Sequence, residues 1–321
     1  MAKTARTELA MAKYKVRNWS EYNESLKNRG NIFVWFEQDA IDKWKPKRDP
    51  HFIGAPQQYS DDAVLCLMAI KAVFHQPYRQ LIGLFLGLVA LMGLVLRVPH
   101  FTTVAFRARQ LGKYCKKLSS KRPMDLVFDA SGFKAYGEGE WKVRQHGKQK
   151  RRRWRKFHLA ICPESHEIIL AEVTELEVAD CEVMPKLLNE APKSVEQVIG
   201  DGAFDTSNCY RAAHDRGITL LVPPRQTAVH SDGGNPWMKG RDNALSEIAG
   251  LGGDDIGRRL WKKLRGYHKR SLVETTFSRL KGVFGCKLFS RRIDSQSAEL
   301  LVKAFALNRM TKIGMPVGIM T

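Results

Sequence analysis

The sequence predicts an α/β protein: a mixed five-stranded sheet with flanking helices over residues 121–321, preceded by an all-α region over residues 1–120. Three observations carry that division. From Ser60 to about Lys117, apolar residues recur at helical spacing. From residue 126 onward, apolar runs of strand length alternate with helical segments. Between the two, "KRPMD" (121–125) interrupts both patterns with a proline and charges.

The helical region consists of "DDAVLCLMAIKAVF", the uncharged run "LIGLFLGLVALMGLVL" and "VPHFTTVAFRARQLGKYCKK". The uncharged run, Leu81 to Leu96, has 16 residues, against the roughly 20 that a bilayer crossing needs. It therefore predicts buried helices broken near Gly93 and no membrane span. Pro99 stops one helix and Thr102 or Thr103 caps the next, a short turn that resembles a helix-turn-helix. On that reading Arg107, Arg109 and Lys113 lie on or near the exposed side of the last helix, with Arg107 as a DNA contact. A helical bundle with a solvated basic face fits the same residues equally well.

"LVFDASG" (126–132) reads as a buried strand ending in a turn. "RWRKFHLAIC" and "EIILAEVTE" read as two more strands joined by "PESH", so the three form an antiparallel meander. "DCEVMPKLLNEA" is a helix with Asp180 at its N-cap. "VEQVIGDGAF" supplies a fourth strand, "TSNCYRAAHDRG" a helix capped by Asp205 and ended by Gly217, and "ITLLVPP" a fifth strand stopped by two prolines. Residues 225–257, rich in Gly and Asp, are expected to form a loop or small insertion. "YHKRSLVETTFSRLK" and "SAELLVKAFALNRMTKI" close the chain as helices. Three antiparallel strands followed by α, β, α, β and α is the order of a ribonuclease H-like domain. There strand one lies beside strand four, both running the same way, and open α/β sheets place their sites at such switch points. Asp129 ends strand one and Asp201 ends strand four.

Lys and Arg number 53 against 33 Asp and Glu, a formal charge of +20. That imbalance argues against an ordinary small-molecule enzyme and for a polyanionic partner. The N-terminus has no apolar core of a secretory signal, and the six cysteines show no metal-ligand spacing. Both are expected of a cytoplasmic protein with reduced thiols. The run "KVRQHGKQKRRRWRK" carries nine Lys or Arg between Lys142 and Lys156. It is expected to lie along a DNA backbone, with Lys148, Arg151, Arg152, Arg153 and Arg155 as contacts. Trp141 and Trp154 are placed to stack on an unpaired base, though Trp154 serves equally as core.

Around an ideal helix at about 100° per residue, Tyr267, Arg270, Glu274 and Lys281 fall within roughly 60° of one another. Leu272, Val273, Phe277, Leu280 and Phe284 fall on a separate, core-facing arc. Glu274 thus joins Asp129 and Asp201 to bring three carboxylates around one point. Gathered without a counter-charge, they would repel and hold protons. Hard oxygen ligands suit Mg²⁺ or Mn²⁺, and two such ions serve in-line phosphoryl displacement. Tyr267, Arg270 and Lys281 then hold flanking phosphates.

These residues carry a resemblance. Tyr267, Arg270, Glu274 and Lys281 match without a gap the signature around the glutamate of DDE transposases of bacterial insertion sequences. "VFDASG" and "VIGDGAFDT" resemble the regions of the two aspartates, "RRRWRKFHLAI" the basic strand after the first, and "FALNRM" the terminal helix. Phe204 stands where tyrosine is frequent. The helical leader with "VPHFTTVAFRARQL" looks most like the insertion sequence 5 family. The resemblance implies Asp129, Asp201 and Glu274 as catalytic metal ligands, with Mg²⁺ or Mn²⁺ as cofactor, two ions in number. It implies double-stranded DNA as partner, both the element's inverted repeats and a target, and a homodimer on DNA at the bacterial nucleoid. A ribonuclease H-like nuclease without strand transfer, or a catalytically silent DNA-binding descendant, would share parts of this pattern.

Overall fold

The computed structural model of the chain describes residues 14–46, 56–114, 118–119, 121–135, 154–231 and 234–320. Its centre is a sheet of five strands: β2 (Asp125–Lys134), β3 (Trp154–Ile161), β4 (Ile168–Glu175), β5 (Gln197–Ile199) and β6 (Thr219–Leu221). β1 (Tyr14–Val16) and β7 (Gly318–Met320) pair separately as a two-stranded sheet. The order is β4-β3-β2-β5-β6, with β2, β3 and β4 antiparallel and β2, β5 and β6 parallel. This is the ribonuclease H-like sheet that the element order predicts.

Alternation along β2 explains how the sheet is covered. Leu126 and Phe128 point to one face, which α8 (Asp180–Glu190) and α9 (Ser207–His214) close with Val183, Leu187 and Cys209. Val127 and Phe133 point to the other face, against α12 (Ser271–Phe284) and α13 (Ile293–Ile313). That second core continues without a break into the N-terminal helices. It includes Trp35, Phe36 and Trp44, nearly all of α4 (Asp61–Val73), and Leu81 and Phe85 of α5 (Tyr78–Leu91). The all-α region therefore shares one core with the sheet, and the packing does not divide at residue 120.

Several elements differ from expectation. Nine residues, 92–100, separate α5 from α6 (Phe101–Ala108), so the short turn of a helix-turn-helix is absent there. Neither threonine caps α6: its N-cap is His100, whose ring Nδ1 lies 2.8 Å from the Thr102 hydroxyl. Residues 225–257, expected to form a loop or small insertion, carry regular structure. They hold a 3₁₀ turn (Pro236–Met238) and α10 (Lys239–Gly250), and α11 (Asp255–Leu264) follows at their end. Asp254 caps α11 by accepting from the Gly257 amide at 2.8 Å, and Trp261 donates to Glu247 at 2.8 Å. Asp180 is the first residue of α8, after the N-cap Ala179, and pairs with Lys156 at 3.0 Å. Thr206, not Asp205, caps α9.

His158 of β3 is buried, with Nε2 2.8 Å from the Thr174 hydroxyl and Nδ1 3.6 Å from Asp180. Burial pushes its pKa down to about 4, with the Asp180 charge opposing. The unfolded chain then binds this proton first. The stability that neutral His158 contributes is complete above pH 6.5 and is lost as pH falls from there to about 4. The loss is on the order of 3 kcal/mol at 1.36 kcal/mol per pKa unit. Urea midpoints followed through this range should fall less steeply for His158→Gln than for the natural chain.

Among the described residues, no helix is long and apolar enough to cross a membrane.

Candidate active site

Register places the two aspartates. The parallel pairing of β2 with β5 ends at Val127 opposite Ile199, and Asp129 and Asp201 each stand two residues beyond that pair. β2 itself runs on to Lys134 because its antiparallel bonds to β3 continue, so Asp129 is a mid-strand residue at the switch point and not a strand end. It shares the parity of Val127 and therefore points toward α12. Asp201 opens a 3₁₀ turn (Gly202–Phe204), its carboxylate accepting from the Ala203 amide at 2.9 Å. The turn is anchored by Phe204, which is buried among the α8 and α9 side chains. A Cβ at Gly200 would come within 2.6 Å of the Phe204 ring, so glycine is required there.

The third carboxylate arrives on α12. Val273, Phe277, Leu280 and Phe284 bury one side of this helix, and Glu274 follows Val273 on the outer side with its side chain 54% exposed. Tyr267 to Arg270 are not part of the helix as expected but form a 3₁₀ turn leading into it, opened by Gly266 in the left-handed region (φ 68°). The turn keeps the signature residues together. Arg270 Nη1 donates to Glu274 at 2.7 Å and Nη2 to Asp129 at 3.4 Å, while its buried Nε–H has no acceptor among the described residues. Lys281, seven residues after Glu274 on α12, donates to the Ser131 hydroxyl at 2.6 Å and sits 5.3 Å from the Phe133 ring centre.

Burial raises the Asp129 carboxyl above its usual range, and the Asp201 and Glu274 charges raise it further, against the lowering effect of the Ala130 amide and Arg270. Tyr267 is likewise pushed up to about 12, first by burial and then by the same three carboxylates. Asp201 and Glu274 thus lie near enough to Asp129 to act on it electrostatically. Among the described residues, however, no group of three or more His, Cys, Asp or Glu side chains is close enough to hold a metal ion. The Arg270 guanidinium supplies the positive charge between Asp129 and Glu274. The three donors are all carboxylate oxygens, two of the groups bonded to one guanidinium, and fit a hard divalent ion in kind.

The remaining expected contacts divide. Lys148, Arg151, Arg152 and Arg153, with Trp141, lie outside the described residues. Arg155 is buried: its Nε donates to Gln296 of α13 at 2.8 Å, so it ties β3 to a helix and cannot reach DNA. Arg107 is also buried, donating to the Tyr59 carbonyl at 2.9 Å and to Asp61 at 2.7 Å, where it fastens α6 to the start of α4. Trp154 packs over Gly132 across the β2–β3 pair. Sequence reasoning missed Lys269, which bonds Asp125 at 2.6 Å and fixes the 3₁₀ turn to the start of β2. Asp205, expected from the sequence as a helix cap, is instead buried and accepts from the Arg225 amide and from Arg241, both at 2.9 Å.

Residues 27–138 match one family described as Transposase DDE domain. The solved structure of piggyBac transposase in a synaptic complex with hairpin DNA is similar over 87% of this chain and 74% of that one, at 10% identity and a TM-score of 0.38. A second Transposase DDE domain family matches residues 120–309, from the start of the sheet to the last helix. That match spans more than half of the chain and covers Asp129, Asp201 and Glu274: the chain belongs to the DDE transposase family.

Proposed function

We propose that this transposase binds the terminal inverted repeats of its own insertion sequence, hydrolyses DNA at those ends and joins the freed 3′-hydroxyls to target DNA. The observation that carries the reading is the convergence of Asp129 and Glu274 on one guanidinium at the sheet's switch point, with Asp201 two residues past the end of the neighbouring strand. Asp129, Asp201 and Glu274 would hold Mg²⁺ or Mn²⁺, two ions in number. Bound there, such ions activate the attacking hydroxyl and stabilise charge on the leaving oxygen.

The chain's own residues do the rest. Arg270 neutralises the carboxylates before substrate arrives, and its unpartnered Nε–H is a donor in reserve for a phosphate oxygen. Lys281 and Tyr267 flank the same point and position the strand. Joining two element ends to one target requires two sites, which favours a homodimer on DNA. Arg270→Ala should tighten Mn²⁺ binding a few-fold, by removing the competing cation, and weaken DNA binding. Mn²⁺ titration by electron paramagnetic resonance, beside DNA anisotropy, measures both.

The function is tested by mixing the protein and Mg²⁺ with a labelled duplex ending in the inverted repeat next to its reading frame. Cleavage at the repeat boundary with joined products is expected. Sequence-indifferent cutting without joining would indicate a nuclease, and binding without cutting a silent descendant.

A further inference from the structure

Beside Asp201, on the side away from β2, a cleft of about 450 Å³ lies between the Pro223–Gln226 loop and α11. Gly202 forms its inner end, and Arg258, Arg259 and Lys262 line it from the helix. The walls are fixed to each other. Arg258 donates to the Pro224 carbonyl at 2.6 Å and to the Arg225 carbonyl at 3.2 Å, and Asp205 holds the Arg225 amide from beneath. On its other side α11 buries Gly257 and Trp261, so the helix cannot roll its basic face away.

Arg225, Arg259 and Lys262 are exposed at this cleft, and none of their side chains has a hydrogen-bond or ion-pair partner among the described residues. The single carboxylate in the lining is Asp255. Lys262 also stands 5.5 Å from the centre of the Tyr267 ring, and Tyr267 opens the turn that carries Arg270 to Glu274. Lys262, the Tyr267 ring and Arg270 therefore link the cleft to the Asp129 and Glu274 carboxylates. Among the described residues no aromatic side chain lines the cleft, which suits it to grip phosphates and not to stack bases.

We infer that this cleft is a phosphodiester-binding site that seats the DNA backbone next to the phosphate being cleaved. Arg259 and Lys262 are its positioning residues and Arg258 the brace that keeps it open. The inference rests on the transposase reading of the neighbouring site and adds to it a helix, α11, whose role is to set the register of the strand. Because the contacts are to phosphate, they act alike on any sequence.

The test is DNA binding by the full chain in EDTA, where no cleavage occurs, followed by fluorescence anisotropy across a salt series. One labelled duplex ends in the inverted repeat and another of equal length is unrelated. The double variant R259Q/K262Q should bind both duplexes more weakly by a similar factor. It should lower the slope of log affinity against log salt by about two, with an unchanged urea midpoint. An unchanged slope would overturn the proposal, and so would a loss confined to the inverted-repeat duplex, which would mean base reading. Natural protein that binds neither duplex would overturn the transposase reading itself, a result distinct from either.

Discussion

Glu274→Gln is expected to slow DNA cleavage on the order of a thousandfold or more while leaving the fold intact, because residues that act as one catalytic unit fail together. The two halves of this expectation have separate causes. Glu274 is more than half exposed and its one described partner is Arg270, so an amide of the same shape costs little stability. The same amide is a poor ligand for a hard divalent ion, and the carboxylate set loses one of three members. Asp129→Asn should behave alike, since asparagine fits the half-buried pocket whose burial already raises the aspartate's pKa. Single-turnover cleavage of a labelled end, with urea unfolding in parallel, measures both. Cleavage within tenfold of the natural rate would remove Glu274 from the chemistry.

Asp205→Ala is expected to have the largest effect on stability, about 3–5 kcal/mol, the usual cost of breaking a buried pair by removing one partner. The Asp205 side chain is 1% exposed, and Arg241, at 14%, would be left with its charge buried and its strongest acceptor gone. The Arg225 amide would also lose its acceptor. Because Asp205 lies four residues after Asp201, the 3₁₀ turn that presents Asp201 should loosen at the same time. Urea denaturation reads the first effect. A midpoint near that of the natural chain would show that the pair is not structurally required.

Where the three candidate carboxylates stand in the fold was largely legible, because their placement follows from strand period and order. The apolar runs around Asp129 and Asp201 fix two parallel neighbours, and the helical arc of Val273, Phe277, Leu280 and Phe284 turns Glu274 outward. Arg155 and Arg107 were misplaced although their sequence carries the signal. Arg155 shares the strand parity of Phe157, Leu159 and Ile161, all buried, and Arg107 stands three residues after Val104 and four before Leu111, both in the core. Counting charge in those segments overrode the periodicity. The Gly and Asp content of residues 225–257 hid α10 in the same way, because its glycines fall at the helix ends or beyond.

Other features were not legible at all. Asp205 owes its burial to Arg225 and Arg241, which are 20 and 36 residues away and reach it only after folding. Arg270 reads from spacing as a phosphate contact, and only the meeting of α12 with β2 shows its guanidinium between two carboxylates.

The central claim is that Asp129, Asp201 and Glu274 form one divalent-cation site, with Arg270 displaced when the ion and DNA bind. Anomalous diffraction from crystals grown with Mn²⁺ and an inverted-repeat duplex tests it most directly. The account predicts manganese peaks bonded to oxygens of all three carboxylates, with the Arg270 guanidinium turned to a phosphate. Manganese bound elsewhere, with Arg270 still joined to Asp129 and Glu274 in the DNA complex, would contradict it.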